Sequence, residues 1–125
     1  DIDHFKQIND QYGHDIGDRV LNAVSHSLKS SMREQDFIGR WGGEEFLAVL
    51  PETDLDQAAA SAERIRKAIQ ALVIDNDGNK VSVTLSIGIT LYRAEEVLSN
   101  AIARADHALY EGKSAGRNRV EMALP

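Results

Sequence analysis

Two hydrophobic periods alternate along this chain, and that alternation constrains its fold more than any other feature. Val20, Leu21, Val24, Leu28 and Met32 recur at helical spacing, which predicts an amphipathic helix over about 18–32. Asp15 or Asp18 is placed to cap it. Phe37–Trp41 and Phe46–Leu50 are short apolar runs around Gly42-Gly43, a hairpin signal because glycine reaches positive φ without steric cost. Pro51 stops the second run, Thr53-Asp54 offers a cap, and Ala58, Ala62, Ile65, Ile69 and Leu72 predict a helix over about 54–72. Asp75-Asn76-Asp77-Gly78-Asn79 is a turn cluster. Val81, Val83, Leu85, Ile87 and Ile89 alternate with smaller or polar residues and predict one strand. A further helix over about 95–111, with Leu98, Ile102, Ala105 and Leu109 inward, ends at Gly112 or Gly116, before a closing strand at about 119–124. The order is strand end, helix, helix, hairpin, helix, strand, helix, strand. It predicts one α/β domain over 1–125, with a mixed sheet and helices packed on it.

Composition removes several classes of function. Apolar residues make up 42% of the 125, enough for a core, so a disordered tail is excluded. No cysteine is present, which excludes disulfides, thiolate metal sites and cysteine nucleophiles. The longest apolar run, Phe46–Leu50, is far short of a membrane span. The net charge of −6 argues against a general nucleic-acid binder, which carries a basic surface. It leaves room for a nucleotide held through metal ions and a few bases, and Lys113, Arg117 and Arg119 cluster near the C-terminus. Asp1-Ile2-Asp3 reads as the last residues of a strand and carries no signal-peptide features. We therefore expect the natural chain to continue upstream, so that this domain is N-terminally incomplete.

Several motifs bear on chemistry. Asp1 and Asp3 stand at i and i+2, on one face of a strand. Glu44-Glu45 follow the glycine pair at a hairpin tip. If that hairpin pairs with the first strand, Asp1 and Glu44 converge on a hard divalent cation such as Mg²⁺. Acidic pairs at turns are mostly solvated, so spacing alone favours the bland reading. Gly112-Lys113-Ser114 resembles the end of a phosphate-binding loop but has His107 where the first glycine belongs. Asp75–Gly78 resembles part of a calcium loop but lacks its first and twelfth ligands, at Val73 and Thr84. His4, His14, His26 and His107 have no metal-ligand spacing.

Taken in order, Asp1-Ile2-Asp3-His4-Phe5-Lys6-Gln7-Ile8-Asn9-Asp10, Gly13-His14, Gly17-Asp18, Arg40-Trp41-Gly42-Gly43-Glu44-Glu45-Phe46, Ser86-Ile87-Gly88, Ala105–Tyr110 and Lys113–Asn118 resemble the GGDEF family of diguanylate cyclases, in the GGEEF form of the signature. The resemblance covers the whole chain and lacks the family's leading helix and most of its first strand. It implies a mostly antiparallel central sheet flanked by helices, similar to polymerase palm domains and class III nucleotide cyclases. It implies condensation of two GTP molecules to cyclic di-GMP and two pyrophosphates, in a homodimer whose two domains each bring one GTP. An upstream sensory or receiver domain that pairs the catalytic domains is implied too. So is a cytoplasmic location for the catalytic domain, with any membrane anchor upstream.

The resemblance assigns roles residue by residue. Asp1, the Ile2 carbonyl and Glu44 match ligands of Mg²⁺ or Mn²⁺, two ions per active half-site. Glu45 assists the metal or a proton transfer. Gly42 and Gly43 let the backbone approach the nucleotide closely. His4, Phe5 and Lys6 open a helix whose N–H groups hold the β- and γ-phosphates. Lys113 and Arg117 match triphosphate contacts, stacked at i, i+4 if the last helix runs through both. Asn9 and Asp18 match guanine contacts. Arg33-Glu34-Gln35-Asp36 lies at the spacing of the family's inhibitory product site, with Arg64 as its further arginine. The plainer reading of Arg33 and Asp36 is a surface ion pair of at most about 1 kcal/mol. The alternative function is a non-catalytic module that binds GTP or cyclic di-GMP, against which the intact Asp1, Glu44, Glu45, Lys113 and Arg117 argue. A cyclase making 3′,5′-cyclic mononucleotides is the third reading, and the Gly-Gly-Glu-Glu-Phe hairpin points away from it.

Overall fold

The computed structural model describes all residues from Asp1 to Pro125. Ten elements follow in the order α1 (Phe5–Tyr12), α2 (His14–Ser30), β1 (Phe37–Arg40), β2 (Phe46–Val49), α3 (Leu55–Gln70), β3 (Ile74–Asn76), β4 (Asn79–Val81), β5 (Ser86–Thr90), α4 (Leu98–Ser114) and β6 (Arg119–Ala123). β1 pairs with β2 and β3 with β4 as antiparallel hairpins, while β5 and β6 run parallel with α4 between them. The mixed architecture is as expected. No helix is long and apolar enough to cross a membrane.

The predicted helical stripes form the core. Val20, Leu21, Val24 and Leu28 of α2 are buried against Ile65 and Ile69 of α3 and against Val81, Val83 and Leu85. α3 starts where expected, because the Asp54 carboxylate accepts from the Gln57 N–H while the Gln57 side chain accepts from the Asp54 N–H. Such a capping box contributes about 1 kcal/mol.

Five local expectations need correction. α2 begins at His14, and Gly13 is its N-cap, so neither Asp15 nor Asp18 caps it. The Gly42-Gly43 hairpin forms, but neither glycine has positive φ. Its tip spans residues 41–45, closed by the Trp41 N–H donating to the Glu45 carbonyl at 2.8 Å, so a five-residue loop takes the place of a tight two-residue turn. The single strand from Val81 to Ile89 is broken. Val81, Val83 and Leu85 keep the alternating burial, but the hydrogen-bonding partner changes from β3 to Ile2 and then to β6.

The last two corrections concern α4. It starts at Leu98, because Glu96 is drawn into a turn with Arg93 and held by Arg104 at 3.0 Å, and Leu98 itself is 53% exposed. The helix also stops before Arg117. Gly116, at φ 123°, makes the left-handed exit, the Gly116 N–H donates to the Lys113 carbonyl, and the Arg117 N–H donates to the Gly112 carbonyl. Lys113 and Arg117 therefore do not stack on one helix. Gly112 lies inside α4, not at its end.

Candidate active site

The strand end at Asp1–Asp3 is the hub of the site. Ile2, 2% exposed, bridges Leu85, and its N–H donates to the Glu44 carbonyl at 3.2 Å. That bond ties the hairpin tip to the strand end and brings Asp1, Ile2 and Glu44 into one neighbourhood. The Ile2 carbonyl accepts no hydrogen bond. Asp1 Oδ1 is buried and also without a donor. Its other oxygen, Oδ2, is ion-paired with Lys113 Nζ from the last turn of α4. Buried acceptors are almost always satisfied, so the orphaned Asp1 Oδ1, on the residue before the donor-free Ile2 carbonyl, marks a place suited to a cation. No three acidic or imidazole side chains cluster as a ready metal cage. The oxygen donors are the Asp1 carboxylate, the Ile2 carbonyl and Glu44, a hard set of the kind that suits Mg²⁺ with substrate phosphates filling the rest.

Around this hub the residues expected to contact substrate lie on several elements. His4 is the N-cap of α1 in the left-handed region, at φ 56°, with no side-chain cap. The N–H groups of Phe5, Lys6 and Gln7 donate to nothing within the protein, so the helix start presents free donors. Phe5 packs on the core while Lys6 and His4 are exposed. A side chain at Gly43 would meet nothing, and one at Gly42 only Glu45 Oε2 at 3.7 Å, so the hairpin tip offers a bare face. Arg40 steadies that tip by donating from Nε to the Gly43 carbonyl at 3.0 Å.

The Asn9 side chain on α1 lies against Gly17 of α2, the residue before Asp18. A Cβ at position 17 would overlap the Asn9 side-chain oxygen, so only glycine lets the amide lie against α2. The motif alone gives Gly17 no role, and that role shows only when the two helices are packed.

Arg33, Asp36 and Arg64 line a separate cavity of about 210 Å³ with Ser31, Thr53 and Gln57. Arg33 Nη2 donates to Asp36 Oδ1 at 2.8 Å, to Thr53 Oγ1 at 2.6 Å and to the Pro51 carbonyl at 3.1 Å. The side-chain bonds from Arg33 to Asp36 hold the Asp36 carboxyl below the usual carboxylate range.

Asp3 is the residue to which the sequence assigns no role. It is 5% exposed and takes Thr84 Oγ1 and Ser86 Oγ, each at 2.6 Å, together with the Asn118 N–H at 3.0 Å. The i, i+2 acidic spacing singled out both aspartates. Only the packing separates the satisfied one, Asp3, from Asp1 with its orphaned oxygen.

Known proteins match nearly the whole of this chain. The family description "Diguanylate cyclase, GGDEF domain" matches residues 1–119. The chain is 46% identical over 123 residues to diguanylate cyclase DgcP of Pseudomonas aeruginosa, covering 98% of this chain and 18% of that protein. It is 48% identical over 124 residues to diguanylate cyclase A of Treponema denticola, covering 98% of this chain and 33% of that one. It thus spans a third or less of these curated relatives. The diguanylate cyclase SiaD of P. aeruginosa, solved with its activator SiaC, superposes with a TM-score of 0.95 at 45% identity, over 98% of this chain and 47% of that one. The GGDEF domain of DgcB from Caulobacter crescentus, solved with c-di-GMP, gives 0.94 at 34% identity, over 98% and 73%. The active GGEEF domain of a Vibrio cholerae diguanylate cyclase gives 0.87 at 36%, over 98% and 78%.

Proposed function

Because this chain belongs to the GGDEF diguanylate cyclase family, we propose that it condenses two GTP molecules into cyclic di-GMP and two pyrophosphates. The observation that carries the reading is the pair of orphaned acceptors, Asp1 Oδ1 and the Ile2 carbonyl, on a strand end bonded to the hairpin tip at Glu44. Asp1, the Ile2 carbonyl and Glu44 would hold Mg²⁺ or Mn²⁺, two ions per half-site, which when bound acidify the attacking hydroxyl and neutralise the leaving pyrophosphate.

The chain's own residues do the rest. The unpaired N–H groups at the start of α1, with Lys6, receive the β- and γ-phosphates. Lys113 turns from Asp1 to the triphosphate, and Arg117 joins it. Asp18 accepts from guanine N1–H and the 2-amino group, while Asn9 takes a second edge contact. Adenine offers no donor at either place, so Asp18 selects GTP. Gly42 and Gly43 leave space for the nucleotide against the hairpin.

Two such domains face each other, each presenting one GTP. Each 3′-hydroxyl oxygen bonds to the α-phosphorus of the other GTP as the bond from that phosphorus to the bridging oxygen breaks. Pyrophosphate leaves, and the hydroxyl proton passes to Glu45 or to solvent. An upstream sensory or receiver domain sets how often two domains meet, and the domain works in the cytoplasm, where GTP is available. The cavity of Arg33, Asp36 and Arg64 receives the cyclic di-GMP product and limits its own synthesis. Arginine forks onto phosphate or onto guanine O6 and N7, and Asp36 accepts from N1–H.

The test is incubation of the full-length protein with GTP and Mg²⁺, then chromatography and product mass. Conversion to a compound of cyclic di-GMP mass, with pyrophosphate released, is expected. Bound but unchanged GTP would leave a binding module, and a 3′,5′-cyclic mononucleotide would reassign the reaction.

A further inference from the structure

The chain leaves α4 through a backbone that is costly to hold. After Gly116, both Arg117 (φ 62°) and Asn118 (φ 47°) are left-handed. A left-handed residue with a long side chain is strained and persists only where its surroundings over-determine it. Ending the helix needs Gly116 alone. Two more left-handed residues, Arg117 and Asn118, lead from there into β6.

Those surroundings are on four sides. The Arg117 N–H donates to the Gly112 carbonyl at 2.9 Å, and Arg119 Nε donates to the Arg117 carbonyl at 3.2 Å. The Asn118 N–H donates to the buried carboxylate of Asp3 at 3.0 Å. Arg66 Nη1, from α3, donates to Asn118 Oδ1 at 2.7 Å, and Arg66 is itself held by Glu63 at 2.9 Å. All of these bonds but the one between Arg66 and Glu63 end on the backbone of Arg117 or on Asn118. The Arg117 guanidinium enters no hydrogen bond or ion pair. The turn is held while the side chain it carries is left unengaged.

We propose that Asn118, clamped between the Asp3 carboxylate and the Arg66 guanidinium, is the positioning residue that aims Arg117 at the triphosphate. The proposal rests on the reading of Arg117 as a triphosphate contact. It adds that Asp3 ties that contact to the strand end carrying Asp1, two residues away. It adds too that α3 takes part in substrate binding through Arg66 without touching substrate.

The experiment uses calorimetry on the full chain with Mg²⁺ and two ligands that cannot react, 3′-deoxy-GTP and 3′-deoxy-GMP. The ratio of their affinities isolates the triphosphate contribution from guanine recognition. Asn118→Gly keeps the left-handed backbone and the N–H to Asp3 but deletes the acceptor for Arg66. Arg66→Met deletes the donor. Each should lower the ratio about threefold or more with the monophosphate affinity unchanged, and Arg117→Ala should lower it about tenfold. Asn118→Asp, which keeps the acceptor, should restore the ratio. Adding Asn118→Gly to Arg117→Ala should cause no further loss, because a positioning residue has nothing left to position. An unchanged ratio in both Asn118→Gly and Arg66→Met, or an additive loss in the double variant, overturns the proposal while leaving Arg117 in its role. An unchanged ratio in Arg117→Ala removes the triphosphate role of Arg117 itself, and the positioning role goes with it.

Discussion

Lys113 at the end of α4 is ion-paired with Asp1, whose side chain is 5% exposed while that of Lys113 is 30% exposed. The proposed triphosphate contact therefore rests on the proposed metal ligand. Removing the lysine strands a buried carboxylate, so Lys113→Met should lower stability by about 1–3 kcal/mol, discounted from a fully buried pair for the partial exposure of Lys113. The same change frees Asp1 for a cation. Mg²⁺ should then raise the melting temperature more in Lys113→Met than in wild type, by mass action on the folded state. An equal Mg²⁺ shift in both proteins would separate Lys113 from the cation site.

Glu44 should matter for turnover and little for folding, since it stands half-buried at a hairpin tip outside the core. Glu44→Gln keeps the shape and removes the charge. Cyclic di-GMP synthesis should fall by at least ~10²-fold, as when a main electrostatic stabiliser is lost. A normal melting curve with near-normal turnover at saturating Mg²⁺ would take Glu44 out of the ligand set.

The core was legible in the sequence because burial writes a period into it. Val20, Val24, Leu28, Ile65 and Ile69 fall where 3.6-residue spacing puts them, and all are buried. What was not legible depends on partners far along the chain. The run from Val81 to Ile89 reads as one strand, since alternation records which face is buried and not which neighbour supplies the hydrogen bonds. Leu98 carries an inward spacing, yet Arg104 holds Glu96 in a turn just before it. Asp1 and Asp3 look alike until Thr84, Ser86 and Asn118 claim Asp3, from 81, 83 and 115 residues away.

Guanine recognition should depend on Gly17 as well as on Asp18. Gly17→Ala would displace the flexible end of Asn9, a shift that costs folding little. It should weaken GTP binding and leave the melting temperature nearly unchanged. Asp18→Ala should cost about 2–4 kcal/mol of GTP binding, because a donor pair on the base goes unmatched, and should narrow the gap between GTP and ATP. Competition binding with both nucleotides checks this. An unchanged preference in Asp18→Ala would move base selection to Asn9.

The Arg33–Asp36 clasp predicts a pH dependence with a definite sign. Hydrogen bonds from Arg33 hold the folded Asp36 carboxyl below the usual carboxylate range, against the opposing effect of burial. A depressed acid stabilises the fold above its unfolded pKa and loses that contribution as pH falls through its folded one. The stability difference between wild type and Asp36→Asn should therefore be constant from neutral pH down to the ordinary carboxylate range and vanish only below it. Thermal melts across that series check it, and a difference that disappears on raising the pH would have the wrong sign.

Product inhibition is the reading with the most distinct outcome. Arg33, Asp36 and Arg64 meet in one cavity of about 210 Å³, and Arg33 and Asp36 lie before β1 while the hairpin tip proposed to be catalytic lies beyond it. Arg64 is on α3, so a ligand held by all three ties that helix to the base of the hairpin. A ligand with two guanines can also join two domains in a pose where their GTP molecules do not meet. Arg33 donates from Nε and Nη2 to Asp36, Pro51 and Thr53, which leaves Nη1 without a partner and open to product. Each charge-assisted bond contributes ~1.5–3 kcal/mol, so Arg33→Ala should raise the inhibitory concentration of cyclic di-GMP about tenfold or more. Progress curves with added cyclic di-GMP, each scaled to that protein's own uninhibited rate, measure the shift. Equal inhibition of wild type and Arg33→Ala, or none of wild type at micromolar product, would return Arg33 and Asp36 to an ion pair that holds the loop before β1.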